Sequence, residues 1–396
     1  MRIIIAPSGF KESLSAEEVA TAIAQGVRRA SPTAKIIELP LVDGGEGFSK
    51  TLVNITGGSL YPVTVTGPVG QPVDAHIGLL GGSGPRTAVL EMAAAAGLRL
   101  VPRDQRNPLV TTTYGVGELI KAALDLDVER ILVGCGDSGT NDGGAGMVEA
   151  LGGRLLRADG TPIARGGIGL LELARIDLSN LDPRLHRVQI DVACNMHNIL
   201  CGPRGVAYVF GPQKGATNAQ INTLATALER YAAIIKRDLG IDVRLMPGGG
   251  ASGGLGAGLH AFLGARLHNR YAIVMEYLDL DRVLMKADLV ITAEGCLDGQ
   301  TPYGKIPAEV GRRAQEYRVP VIALSGTIGR DADVNHQHGI IAYTSILPRP
   351  MTLDEAIRDA AELVAAQAEQ VMRMILIGRQ MVSRSRVSQH HLQMVG

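Results

Sequence analysis

Apolar positions along this chain fall into short blocks of two textures. Five β-branched or aliphatic runs, Arg2 to Ala6, Arg130 to Val133, Asp288 to Thr292, Val319 to Leu324 and Ile340 to Ile346, lead into turn or helix signals. Such runs, alternating with helical stretches, predict parallel strands of one α/β sheet. After the first, Ser15-Ala16-Glu17-Glu18 spells a capping box ahead of Val19, Ala22, Ile23 and Val27, which predicts an amphipathic helix. From about Tyr61 to Met92 the period changes to two. Val63 and Val65, the turn Pro68-Val69-Gly70-Gln71-Pro72, and Val73, Ala75 and Ile77 predict a hairpin and a further strand. Gly152 to Gly215 again reads as short strands and Pro/Gly turns. The expected fold class is α/β. A parallel-sheet lobe takes residues 1–60, 109–150 and 246–378, and a second, inserted mixed α/β lobe takes 61–108 and 151–245. The polar stretch 379–396, with Ser383-Arg384-Ser385-Arg386 and His390-His391, is expected to be a disordered tail.

At 396 residues the chain exceeds one ordinary core, which agrees with two lobes. Lys plus Arg and Asp plus Glu each total 39, with no basic stripe, so neither nucleic acid nor an anionic membrane is an expected partner. No run reaches the length of a bilayer span, and the apolar N-terminal run is too short for a signal peptide, so a cytoplasmic location is expected. Cys135, Cys194, Cys201 and Cys296 have neither zinc nor redox-pair spacing and read as reduced thiols. Glycine is the outlier, with 50 residues against a usual share of about 7%. It clusters after apolar runs, which places function in backbone-rich loops.

Two of these loops are alike. Asp43-Gly44-Gly45-Glu46-Gly47 and Asp142-Gly143-Gly144-Ala145-Gly146 each enter a short helical pattern that closes at a Gly-Gly pair. A helix start offers unsatisfied N–H groups and a favourable dipole to an anion, and the adjacent carboxylate suits an anion that arrives with a divalent cation. The plainer alternative is an Asp N-cap followed by turn glycines. Gly299-Gln300-Thr301-Pro302-Tyr303-Gly304-Lys305-Ile306 fits G-x-x-x-x-G-K but ends in Ile, which excludes a standard P-loop. Lys305 is then either a phosphate contact or a solvated loop lysine. Gly134 to Gly139 spells G-x-G-x-x-G after a strand, but no helix opens there and no acidic residue stands at the proper distance, and Gly248 to Gly253 spells it without a preceding strand, so NAD is discounted. Pro247 to Gly258 reads as a hinge or close-packing loop, and His336 and His338 as packing histidines.

Phosphoryl transfer needs cationic charge on the phosphates and a group that orients the attacking hydroxyl. Lys11, Lys214 and Lys305 are the candidate cations, and Asp43, Glu46, Asp142, Glu294 and Asp298 the candidate carboxylates.

Together these motifs resemble those of the bacterial class I glycerate kinases. The resemblance rests on Ala6-Pro7 with Phe10-Lys11-Glu12-Ser13-Leu14-Ser15, Asp43 to Gly47, Glu91-Met92-Ala93-Ala94-Ala95, Thr140-Asn141-Asp142-Gly143-Gly144-Ala145-Gly146, Phe210-Gly211-Pro212-Gln213-Lys214-Gly215-Ala216 and Glu294-Gly295, and covers Met1 to about Gly378. It implies a Rossmann-like or flavodoxin-like lobe with a second α/β lobe clamping substrate, and ATP- and Mg²⁺-dependent phosphorylation of D-glycerate to 2-phosphoglycerate by a monomer or homodimer. Lys11, Asp43, Asp142 and Lys305 would be catalytic. Gly44, Gly45, Glu46, Gly143, Gly144, Lys214, Glu294 and Gly295 would hold the cofactor, with Asp43 and Asp142 on the metal.

The chain also departs from the family pattern. Ser8 and Gly9 stand where the family has Asp-Ser, Asn195 where it has Asp, Ala293 and Cys296 where it has Gly and Arg, and Asp137 where it has Gly. Serine and asparagine cannot act as a general base or neutralise magnesium. The alternative function is therefore an impaired homologue that binds a nucleotide or organic acid in a regulatory role.

Overall fold

The structure is a computed structural model that describes residues 1–10, 13–42 and 44–394, with side chains through residue 381. Among these residues thirteen strands follow in order: β1 (Arg2–Ile5), β2 (Lys35–Glu38), β3 (Ser59–Thr66), β4 (Pro72–Leu79), β5 (Thr87–Glu91), β6 (Arg130–Gly134), β7 (Arg154–Leu156), β8 (Arg175–Asp177), β9 (Gln189–Cys194), β10 (Arg266–Asn269), β11 (Leu289–Leu297), β12 (Val321–Ile328) and β13 (Ile340–Ser345). The chain forms two compact units, one of Met1–Val42 with Met275–Gly396, the other of Asp43–Val274.

The first unit holds a five-stranded sheet in the order β13-β12-β11-β1-β2, all pairs parallel. The helix Ala16–Ala30 starts at the capping box, with Ser15 accepting from Glu18 N–H and the Glu18 carboxylate accepting from Ser15 N–H. Its apolar stripe of Val19, Ile23 and Val27 packs with Ile3, Ile5, Ile291, Val364 and Ala368 into one core. The last helix runs Ala360–Met394, past Gly378, so the tail expected to be disordered is helical to that point.

The second unit holds a mixed six-stranded sheet, β10-β9-β6-β5-β4-β3. The hairpin β3–β4 is antiparallel, with Val65 opposite Val73 and Val63 opposite Ala75, and β5, β6, β9 and β10 are parallel. The assignment of Arg130–Gly134 to the first sheet is corrected here: β6 lies between β5 and β9. A β-branched run states that a strand is buried but not which sheet buries it. Pro247 to Gly258 also proves to be a packing element. Residues 251–259 are buried and enter the helix Ala251–Leu263 through left-handed Ser252, Gly253 and Gly254. Among the described residues no helix is long and apolar enough to cross a membrane.

Candidate functional site

In a parallel sheet, ligands bind beyond the carboxyl ends of the strands. Each unit carries a polar cluster at that end.

In the second unit, two glycine loops meet beyond β6 and β9. A side chain at Gly44 would press on Ala193 O at 3.0 Å and Cys135 N at 3.3 Å, and one at Gly136 would lie 2.7 Å from Gly45 Cα. Glu46 is fixed at both ends: its N–H donates to Asp137 Oδ2 at 3.0 Å, and its carboxylate pairs with Arg99. The helix Phe48–Thr56 starts just after this loop, and Glu91, at the end of β5, accepts from Ser49 N–H at 3.0 Å and Ser49 Oγ at 3.1 Å. His76 Nε2 lies 2.7 Å from the same hydroxyl. Glu91 thus serves as the anion at that helix start.

Asp142 does the same for the helix Ala145–Ala150. It is 0% exposed. Its Oδ2 accepts from Thr113 N–H (2.8 Å), Thr113 Oγ1 (2.9 Å) and Gly146 N–H (3.2 Å), and its Oδ1 from Gly144 N–H (3.1 Å). Burial raises its pKa, and those donors oppose the rise. Gly143 has φ +67° and lies under Tyr231, whose ring would be 2.5 Å from an added Cβ, while its N–H donates to Gly253 O and its carbonyl accepts from Tyr231 Oη at 2.7 Å. Gly144 stands at the N-cap position, Asp142 accepts from the amides at that helix start, and the amides of Gly143, Gly144 and Gly146 point to protein acceptors.

Lys214 is 2% exposed and donates to Ser138 Oγ (2.9 Å), Thr140 O (2.6 Å) and Asn141 Oδ1 (2.7 Å). Three acceptors match the three N–H bonds of an ammonium. Burial lowers its pKa to about 7, against the pull of Asp142. Lys214 therefore pins the loop 138–141 from beneath.

In the first unit the cluster lies along the end of β11. Glu294 is buried, accepts from Thr301 Oγ1 at 2.7 Å and lies 3.2 Å from Lys305 Nζ. Lys305 also donates to Asp298 Oδ1 (2.9 Å) and Cys296 O (2.8 Å). Burial raises the Glu294 pKa against Thr301 and Lys305. Lys305 is held above its ordinary value by Asp298 and Glu294 although burial opposes this. The result is a charged triad of two carboxylates and one ammonium. Gly295 is exposed beside it, with open space where a side chain would sit. Ser8, at the end of β1, donates its hydroxyl to Ala293 O at 2.9 Å.

Lys11 and Asp43 lie outside the described residues. The other expected residues separate by unit: Gly44, Gly45, Glu46, Asp142, Gly143, Gly144 and Lys214 in the second, Glu294, Gly295 and Lys305 in the first. The sequence reading missed Thr113 and Tyr231, neither of which stands in a glycine loop. Asn195, a departure from the family pattern, accepts from His197 N–H at 3.0 Å, a turn that Asp closes equally well. Cys135, Cys194 and Cys201 are buried free thiols, and burial raises all three, Cys194 and Cys201 to about 12. Among the described residues no group of three or more His, Cys, Asp or Glu is placed to hold a metal ion. His336 packs on Tyr343.

Comparison with known proteins gives the family of the chain. Residues 3–376 match the model of the glycerate kinase family. The chain is 49% identical to a glycerate kinase of Bacillus subtilis (strain 168), covering 96% of this chain and 99% of that one. It is 47% identical to a glycerate 2-kinase of Escherichia coli (strain K12), again over 96% and 99%. The crystal structure of a putative glycerate kinase 2 from Salmonella typhimurium LT2 is 50% identical and superposes with a TM-score of 0.83, over 96% of this chain and 99% of that one.

Proposed function

The chain belongs to the glycerate kinase family, and on that premise we propose that it transfers the γ-phosphoryl group of ATP to the 2-hydroxyl of D-glycerate. The hydroxyl oxygen bonds to phosphorus, the bond from Pγ to the β,γ-bridging oxygen breaks, ADP leaves, and the hydroxyl proton is lost. The product is 2-phosphoglycerate. The observation that carries this reading is near-complete coverage by glycerate kinases at close to half identity.

Among this chain's described residues, Lys305 is the ammonium available to developing phosphate charge, because it sits at the strand ends and is one-third exposed. Glu294 and Asp298 fix its position. Magnesium binds phosphate oxygens and keeps several waters, so it needs only one or two protein carboxylates. Glu294 and Asp298 fit that need better than Asp142, whose oxygens already accept from four donors. When bound, the cation would offset phosphate charge. Lys214 and Asp142 act one step back, as positioning residues for the glycine loops.

The test is ADP release from Mg-ATP with and without D-glycerate, with the phosphorylated hydroxyl read by ³¹P NMR. Glycerate-dependent ADP and a 2-phosphate resonance support the reading, and folded protein without turnover refutes it. The second reading, an impaired homologue that binds nucleotide or organic acid, is favoured by one observation: the end of β1 carries Ser8, bonded to Ala293 O, in place of a carboxylate. Activity that appears only in the Ser8→Asp, Asn195→Asp double variant would establish it.

A further inference from the structure

Among the described residues, three arginines have a buried Nε with no acceptor: Arg106, Arg130 and Arg157. Arg130 pairs with Asp191 at 2.7 Å and Arg157 with Glu172 at 2.6 Å. Arg106 has no such carboxylate among the described residues. A half-buried guanidinium without a partner is costly to hold in place, and a residue so held is a candidate for binding a ligand.

Its backbone is tightly held. Gly215 has φ +89° and closes on Arg106, so that an added Cβ would lie 2.6 Å from Arg106 O and 2.7 Å from Arg106 Cβ. The next residue, Asn107, accepts from Leu109 N–H at 3.1 Å and Gln220 Nε2 at 3.3 Å. The segment then runs beside the loop that Lys214 pins. Thr111 Oγ1 donates to Gly139 O at 2.9 Å, and a Cβ added at Gly167 would lie 2.8 Å from Asn141 O and 3.2 Å from Pro108 O. In that loop Thr140 Oγ1 and Asn141 Nδ2, both in fully buried residues, also have no partner. One guanidinium, one amide N–H₂ and one hydroxyl, each with an unpartnered buried polar atom, thus stand on two neighbouring segments, while the Lys214 ammonium is already committed to its three acceptors. The carboxylates nearby are engaged: Asp142 by its four donors, Asp137 by the Glu46 amide, and Glu46 by Arg99.

Resting on the glycerate kinase reading, we propose that Arg106 is an oxyanion-binding residue of the second unit, taking the glycerate carboxylate or a phosphoryl group of ATP. Its planar fork matches either anion bidentately, which lysine cannot do.

Arg106→Ala and Arg106→Lys test this. Both variants are expected to keep the wild-type CD spectrum and melting temperature, because the guanidinium has no partner among the described residues to lose. Steady-state kinetics of Arg106→Ala are expected to show KM for one substrate raised about 10- to 100-fold, with Arg106→Lys recovering only part of the loss. A rise for D-glycerate alone marks the carboxylate, and a rise for ATP alone marks the phosphoryl group. Unchanged KM for both, in variants of an active wild type, overturns the proposal. Calorimetric titration with D-glycerate and with ATP, each alone, separates this outcome from failure of the kinase reading. If the wild type is inactive but binds one of them, loss of that binding in Arg106→Ala supports the subsite. Binding retained in the variant, or absent in the wild type, overturns it.

Discussion

Asp142→Ala removes the acceptor for three backbone N–H groups and one hydroxyl, all in buried surroundings. Each buried donor left without a partner costs about 1–3 kcal/mol. The donors are neighbours and relax together, and the substitution also relieves the burial that raises the Asp142 pKa, so the losses do not add. A net loss of about 3–5 kcal/mol follows, a large part of the roughly 5–15 kcal/mol that holds a domain together. Asp142→Asn keeps one acceptor oxygen and is expected to lose about half as much. The chain has no tryptophan, so urea unfolding is best followed by far-UV CD, where the transition of the Asp43–Val274 unit moves to lower urea. A loss below about 1 kcal/mol would refute the capping argument. If stability held while the magnesium requirement rose, Asp142 would be a metal ligand after all.

Other consequences are as direct. The Lys214 ammonium is lowered by burial to about 7 from an unfolded value near 10.4, so between those values the unfolded chain binds more protons and stability rises with pH. Lys214→Met should flatten that rise in urea titrations from pH 6 to 10, and equal slopes would contradict it. Asn195→Asp keeps the turn to His197 N–H and is expected to change stability by less than about 0.5 kcal/mol. Ser8→Asp loses the donor to Ala293 O and sets a carboxylate beside that carbonyl, for a loss of about 1–2 kcal/mol by thermal melting, and a stabilised variant would be the opposite result. Asp137→Gly relieves a φ of +48° but frees the Glu46 amide, so deuterium uptake over residues 44–47 should quicken, and unchanged protection would show that Asp137 does not hold that loop.

Local signals in the chain were legible where one kind of residue has one use. Ser15 and Glu18 form the expected capping box, and the alternation of Val63, Val65, Val73 and Ala75 sets the register of the hairpin. The runs at β1, β11, β12 and β13 share one parallel sheet as their composition suggests, but β6 does not, because sheet membership depends on partners far along the chain. At the candidate site, the pattern of Asp followed by glycines located the loops but not the direction of their amides. That direction is set by Thr113, Gly253 and Tyr231, which come from segments remote in sequence. Lys214 shows the same limit, since a lysine in a glycine-rich motif reads as exposed until its three acceptors are seen.

The pairing of Ile3 with Leu289 also sets an order of events during synthesis. The first forty-odd residues leave the ribosome with β1 bonded on only one side, to β2, and with Val19, Ile23 and Val27 facing a helix not yet made. The segment Asp43–Val274 has its own sheet and core and is complete before β11 emerges. The amino terminus must therefore wait, with apolar surface uncovered, until nearly the whole chain has been translated. A nascent chain stalled before residue 289 is expected to contain one folded unit and one segment, residues 1–42, whose apolar surface is still uncovered.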